Sequence, residues 1–95
     1  MPAATPNKIA AFAALHVPGR PLILYNIWDP GSAKAVAEAG APAIATGSWG
    51  VASAMGFRDG ETLPLDLAID CAQRIVGVTD LPVTVDMEAG YGADA

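Results

Sequence analysis

The stretch that decides the fold is LPVTVDMEAGYG, residues 81–92. Its first part, residues 81–85, is apolar and β-branched, which is typical of a strand. Asp86 and Glu88 follow, and side chains two residues apart point to the same side of an extended chain. Two carboxylates on one side repel each other unless a cation or a proton intervenes, and Mg²⁺ prefers oxygen ligands. The stretch therefore predicts a strand that ends in a candidate metal site, although an ordinary acidic loop shows the same spacing.

Outward from that stretch, strand-like and helix-like patterns alternate along the chain. Short apolar runs predict strands that are covered on both faces, and amphipathic spacing predicts helices between them. Ser32 is the expected N-cap of the second helix, and Pro64 is expected at the first position of the third. No G-x-G-x-x-G motif follows the first strand, which argues against a dinucleotide site. Alternation of this kind predicts a parallel sheet, with helices at 7–16, 33–39 and 64–76, a single helical turn at 51–55, strands at 22–25, 43–46 and 81–85, and loops at 47–50 and 57–62.

Composition and charge narrow the class of protein. The chain is 53% hydrophobic, so it needs a core, and its net charge of −5 disfavours a nucleic-acid partner. Its single cysteine, Cys71, allows no internal disulfide, and its place near an apolar helix face predicts a core residue. No apolar run approaches the roughly 20 residues that span a bilayer, and no secretory signal is seen. We therefore expect a cytoplasmic protein with no membrane partner.

Polar residues gather where the predicted strands end. In parallel α/β folds, active sites form beyond the carboxyl ends of the strands, so these segments should share one rim. The turn at Ser48–Gly50 could present backbone N–H groups to an anion, although a plain connecting turn fits equally well. Asp59, before Gly60, is most simply a turn-forming residue. The segments that would share the rim are residues 26–29, 47–50 and 86–88.

Four segments in order resemble the isocitrate lyase / phosphoenolpyruvate mutase superfamily. Each segment is short, but together they cover nearly the whole chain, from about residue 9 to residue 92. The phosphoenolpyruvate mutase-like group is the most similar, because it commonly has Asp-x-Glu-x-Gly-Tyr-Gly where other branches have Asp-x-Asp. The four segments are residues 21–33, 40–48, 56–64 and 81–92.

The resemblance implies a (β/α)₈ TIM barrel of class α/β. This chain would supply an N-terminal helix and roughly the first three β/α units, so residues 1–95 would form a single partial domain. Members of the family cleave or form C–C or P–C bonds in small 2-oxo acids and related carboxylates. They use Mg²⁺, for which Mn²⁺ can substitute, to stabilise an enolate-like species. Full-length members are usually homodimers or homotetramers.

The same resemblance implies roles for individual residues. Asp86 would be the principal metal ligand. Asp59 and Glu88 would hold metal-bound water and take part in catalysis. The segment that binds the substrate carboxylate would contain Ser48, Trp49 and Gly50, and the mouth of the site would be lined by Asn26 and Trp28.

Two departures from the family pattern leave alternatives open. Many relatives have a small residue where this chain has Trp49, so the indole would narrow the pocket. The family's later catalytic loop, often Lys-Lys-Cys-Gly-His in lyases, is absent, and Cys71 does not match it. One alternative is a truncated, inactive piece of such an enzyme with an open edge on its third strand. Others are a hydrolase or decarboxylase of the same superfamily and, less favoured, a flavodoxin-like binding module.

Overall fold

A computed structural model describes residues 6–92. Three short parallel strands form one sheet in the order β1-β2-β3, and four helices accompany them. The predicted parallel α/β alternation is confirmed, and the helical turn expected at residues 51–55 belongs to a longer helix after the second strand. The elements are α1 (Pro6–Ala14), β1 (Asn26–Ile27), α2 (Pro30–Glu38), β2 (Ile44–Thr46), α3 (Ser48–Ala54), α4 (Leu65–Val76) and β3 (Val83–Thr84).

The central strand sets the register of the sheet. Asn26 of β1 lies opposite Ala45 of β2, and Ala45 in turn lies opposite Thr84 of β3. All three residues of β2 are buried. The parallel register brings the carboxyl ends of the three strands to one edge, as the sequence predicted, and the site described below lies there.

The core lies where α2 and α4 pack together beside the sheet. Its largest fully buried side chains are Ile27, Ile44 and Ile75, one each from β1, β2 and α4. Ala33 of α2 and Cys71 of α4 complete the buried cluster, so the prediction that Cys71 is a core residue is confirmed. Small residues on the helices allow close approach to the strands. No helix within residues 6–92 is long and apolar enough to cross a membrane.

The first strand is shorter and later than predicted. Residues 22–25 do not form a ladder with any described strand, and β1 begins only at Asn26. Ile23 and Tyr25 are 68% and 72% exposed, so the expectation of cover on both faces was wrong for this segment. Pairing with β2 begins where Ala45 comes opposite Asn26, and an apolar pattern alone cannot show which residues of a run find a partner.

Three helix starts also differ from the prediction. Pro64, expected at the first position of α4, is its N-cap, and the helix begins at Leu65. The N-cap of α2 is Asp29, whose side chain accepts a hydrogen bond from the Ser32 N–H at 2.7 Å, while the Ser32 hydroxyl accepts from the Asp29 N–H at 3.1 Å. Ser32 therefore closes a capping box three residues inside, and Pro30 occupies the first turn. The predicted loop at 47–50 is the first turn of α3, because Gly47 acts as N-cap and its carbonyl accepts from the Val51 N–H.

Candidate active site

Asp86, two residues beyond the end of β3, is hydrogen-bonded to the end of β2. Its Oδ2 accepts a hydrogen bond from the Ser48 N–H at 3.2 Å, and its own N–H donates to the Thr46 Oγ1 at 3.0 Å. Its Oδ1 accepts from the Glu88 N–H at 2.8 Å. Three backbone N–H groups therefore fix the strand exit and the orientation of the carboxylate.

These bonds also favour the charged form of Asp86. The N–H of Glu88, then that of Ser48, lowers the pKa of the Asp86 carboxyl below its usual value, with a smaller contribution in the same direction from the Ser48 side chain. Partial burial opposes the shift but does not cancel it. Each carboxylate oxygen can accept more than one hydrogen bond or ligand, so Asp86 remains an anion with spare lone pairs at the rim.

Glu88 reaches the loop between α3 and α4, where Asp59 lies. Its Oε1 accepts from the Gly60 N–H at 2.9 Å and from the Glu61 N–H at 2.8 Å. The Gly60 N–H also lies 3.0 Å from the Oδ1 of Asp59, so one amide is shared by two carboxylates. The structure thereby brings Asp59 beside Glu88, although 28 positions separate Gly60 from Glu88.

The three carboxylates form a linked series and do not converge on one point. Within residues 6–92, no three His, Cys, Asp or Glu side chains lie close enough together to hold a metal ion unaided. The donor chemistry nevertheless fits Mg²⁺, which takes hard oxygen ligands, keeps several waters and often needs only one or two carboxylates. Asp86 is the residue suited to direct contact with Mg²⁺, because each of its carboxylate oxygens accepts one backbone N–H and keeps a lone pair free.

Tyr91 and Glu61 join this network and were missed in the sequence. The Tyr91 hydroxyl donates to the Glu88 Oε2 at 3.2 Å, and the Tyr91 N–H donates to the Glu61 Oε1 at 3.2 Å. Burial, followed by the hydrogen bond to Glu88 and nearby negative charges, raises the pKa of the Tyr91 phenol, so the phenol stays protonated as a donor. The available signal was a glycine immediately before each residue, Gly60 and Gly90, which marks two turns beside acidic groups.

The ends of β1 and β2 enclose a separate cleft of about 260 Å³. Trp28 and Trp49 form part of its walls and remain 45% and 71% exposed. Gly47 lies so close to Asn26 that a Cβ on Gly47 would be 2.7 Å from the Asn26 Nδ2. Asn26, Trp28, Trp49 and Gly50, named from the sequence, thus share one cleft, whereas Ser48 turns its N–H toward Asp86.

Cys71 lies beneath this rim, with no activating group beside it among residues 6–92. Its Sγ lies 3.6 Å from the Trp28 carbonyl oxygen, to which the thiol donates. Burial, and then the charges of Asp29 and Asp70, raises the pKa of the thiol. A thiol with a raised pKa is a poor nucleophile, so the position is structural.

Parallel strands with acidic and small polar groups at their carboxyl ends define an α/β protein with a candidate active-site rim. The family model for phosphoenolpyruvate phosphomutase matches residues 12–95, and the chain belongs to that family. The resemblance to the isocitrate lyase / phosphoenolpyruvate mutase superfamily is therefore confirmed.

Relatives of known sequence or structure agree with this assignment. A crystal structure from Burkholderia cenocepacia J2315, named as a phosphonomutase, is 58% identical with a TM-score of 0.89, over 93% of this chain and 35% of that one. Another from the same organism, named as a lyase/mutase, is 38% identical with a TM-score of 0.79, over 90% of this chain and 31% of that one. Uncharacterised proteins of two Mycobacterium tuberculosis strains, CDC 1551 / Oshkosh and ATCC 25618 / H37Rv, are 38% identical over 85% of this chain and 31% of their own length. The chain thus spans about a third of the length of these relatives.

Proposed function

We propose that this chain is the N-terminal part of a Mg²⁺-dependent (β/α)₈-barrel enzyme of the phosphoenolpyruvate phosphomutase family. The whole enzyme cleaves, forms or rearranges a C–C or P–C bond in a small 2-oxo acid or related carboxylate. A homodimer or homotetramer is the expected assembly. Family membership supports the reaction class, and the rim supplies the residues that would begin the active site.

The observation that carries the proposal is the arrangement around Asp86. Its carboxylate lies at the end of β3, is kept ionised by the N–H groups of Glu88 and Ser48, and retains lone pairs on both oxygens. An ionised carboxylate in this place, beside two other polar strand ends, can still accept a cation. Asp86 would hold Mg²⁺ directly, and Glu88 and Asp59 would hold water bound to it.

The chain's own residues divide the remaining work. The Ser48 N–H is already used by Asp86, so Ser48 orients the metal ligand. The N–H groups of Trp49 and Gly50, in the first turn of α3, are left to receive the substrate carboxylate. Asn26 and Trp28 line the adjoining cleft, whose size suits a small carboxylate. When bound, Mg²⁺ would supply positive charge that stabilises negative charge developing on the substrate oxygen.

Binding of Mg²⁺ and of oxalate tests the metal assignment. We expect the purified protein, as its gene encodes it, to bind both by isothermal titration calorimetry, with oxalate binding dependent on Mg²⁺. Asp86→Ala should weaken Mg²⁺ binding by a factor of ten or more, because it removes the direct ligand; roughly 10- to 100-fold is already typical for residues that only support a ligand.

Asp80→Ala is the matched control. Asp80 is an exposed aspartate that precedes β3, whereas Asp86 follows it, so both variants remove one negative charge near the same strand. Asp80→Ala should leave both affinities unchanged. Equal affinities in Asp86→Ala and Asp80→Ala would contradict the metal assignment.

Product analysis tests the reaction class. We expect the protein to convert a member of a panel of 2-oxo acids, 2-hydroxy tricarboxylates and 2-oxo phosphonates, with products that show C–C cleavage or P–C rearrangement. Carbon dioxide as the only fragment released, which is also a C–C cleavage, would favour a decarboxylase of the same family, and release of inorganic phosphate from a phosphonate would favour a hydrolase.

A further inference from the structure

Three residues of the chain adopt a backbone conformation that side chains disfavour. Glu61, Glu88 and Tyr91 have φ angles of 63°, 54° and 61°, and they are the non-glycine residues of the described region with positive φ. A Cβ makes this left-handed conformation unfavourable, so it persists only where surrounding contacts hold it. Among non-glycine residues of the described region, this conformation occurs only at these three, on two loops that are far apart in sequence. One cause, which the three residues share, accounts for this pattern.

The shared cause is that the three residues bond to one another. The Glu88 carboxylate receives the Glu61 N–H on Oε1 at 2.8 Å and the Tyr91 hydroxyl on Oε2 at 3.2 Å. The Glu61 carboxylate in turn receives the Tyr91 N–H at 3.2 Å. Each residue therefore touches the other two, and the bonds form a closed ring between the loop that follows α3 and the segment that follows β3.

All three members of the ring are partly buried. Hydrogen bonds to a carboxylate are stronger than bonds between neutral groups, and shielding from water strengthens them further. The ring thus offsets the unfavourable backbone conformation at each member. Removing one bond weakens the hold on all three residues, since none of them favours its φ angle alone.

We propose that Glu61, Glu88 and Tyr91 form a latch that fastens the loop at residues 57–62 over the rim, with Tyr91 and Glu61 as positioning residues for Asp59. The latch holds the Gly60 N–H against Glu88, and that same N–H contacts Asp59. Asp59 consequently lies beside the Asp86 segment only while the latch is closed. The positioning role rests on the function proposed above, whereas the latch itself does not.

Hydrogen exchange measures the latch without reference to metal. We expect Tyr91→Phe, which removes one hydroxyl, and Glu61→Ala, which removes one acceptor, to accelerate amide exchange in residues 57–63 by about five- to tenfold, the effect of losing one hydrogen bond. Glu61→Gln keeps an acceptor oxygen and should restore slow exchange. In the double variant, the exchange rate should rise by less than the product of the two single effects, because both substitutions open the same ring.

Mg²⁺ affinity, measured on the same whole protein, tests the positioning role. Tyr91→Phe and Glu61→Ala should each weaken Mg²⁺ binding several-fold, with Glu61→Gln restoring it and melting temperatures changing little. Tyr25→Phe and Glu38→Ala are the matched controls, because these residues are exposed and make no side-chain hydrogen bond among the described residues. Neither control should alter exchange in residues 57–63 or Mg²⁺ affinity.

Each outcome decides a separate point. Unchanged exchange in both Tyr91→Phe and Glu61→Ala overturns the latch. Faster exchange with unchanged Mg²⁺ affinity overturns the positioning role of Tyr91 and Glu61. If the unaltered protein binds no Mg²⁺ while exchange responds as expected, the proposed function fails and the latch stands.

Discussion

At the rim, β2 meets its two neighbours in different ways. Toward β1, the contact is close packing, because Gly47 lies against the Asn26 side chain. Toward β3, the contact is made by hydrogen bonds, with Asp86 joined to the end of β2 through its carboxylate and its N–H. The end of β2 therefore has a tightly fitted side, which faces β1, and a polar, hydrogen-bonded side, which faces β3.

The two sides should respond to different kinds of substitution. Where atoms are in van der Waals contact, added volume forces a rearrangement, while the loss of a polar group matters little. Where a donor meets an acceptor, a change of equal volume that removes the acceptor leaves a donor unsatisfied. A side chain that is wrong in size should harm the β1 side, and one that is wrong in polarity should harm the β3 side.

The largest effect on stability is expected from Gly47→Ala. The new Cβ would lie 2.7 Å from the Asn26 Nδ2 and 3.2 Å from its Cγ, so the Asn26 side chain would have to move. We expect the free energy of unfolding, measured with urea on the whole protein, to fall by about 1–3 kcal/mol. The added Asn26→Ala substitution should recover much of the loss, because it removes the atoms that clash.

Gly50→Ala is the control for that experiment. A Cβ on Gly50 would meet the Trp28 Cβ at 3.5 Å, an ordinary contact, and Gly50 lies within α3. Alanine favours a helix over glycine by up to about 1 kcal/mol, so stability should stay level or rise. If Gly47→Ala and Gly50→Ala proved equally mild, the β1 side would not be the tightly fitted one.

The order of elements could be predicted from the sequence, because periodicity depends on local patterns. The helix around Cys71 and Ile75 and the strand before Asp86 are strong patterns, and both were confirmed, although β3 covers only Val83–Thr84 of the predicted 81–85. The first strand was placed too early, since Ile23 and Tyr25 look like strand residues whether or not another strand pairs with them. Pairing depends on distant residues, and an apolar run carries no record of them.

The candidate site was predictable in its location but not in its connections. Asp86 and Ser48 each follow a predicted strand, and the carboxyl ends of neighbouring parallel strands lie at the same edge of a sheet. Their contact could therefore be expected from the sequence. The contact between Glu88 and the loop of Asp59 depends on left-handed turns at Glu61 and Tyr91, which few sequences reveal. The roles of these residues in metal and substrate binding stay predictions.

A smaller effect is expected from Thr46→Val on the β3 side. The change conserves volume but removes the hydroxyl that accepts the Asp86 N–H at 3.0 Å, in a residue only 7% exposed. The free energy of unfolding should fall by about 1–2 kcal/mol. Thr46→Ser, which keeps the oxygen, and Thr84→Val, on the half-buried strand β3, should change it less. A neutral Thr46→Val would show that the polar side does not depend on this bond.

The smallest effect concerns the Asp29 cap, on the β1 side, and depends on pH. Hydrogen bonds from Ser32 hold the pKa of the Asp29 carboxyl below its usual value, so the folded state favours the ionised cap. The resulting stability is fully present above the unfolded-state pKa and is lost as the pH falls through the lower folded-state pKa. Asp29→Asn keeps a capping oxygen but does not titrate, so the difference between the unaltered protein and Asp29→Asn should shrink by about 0.5–1 kcal/mol between about pH 5 and pH 2. Urea unfolding at each pH measures it, and a constant difference would show that the charge of Asp29 contributes nothing to the cap.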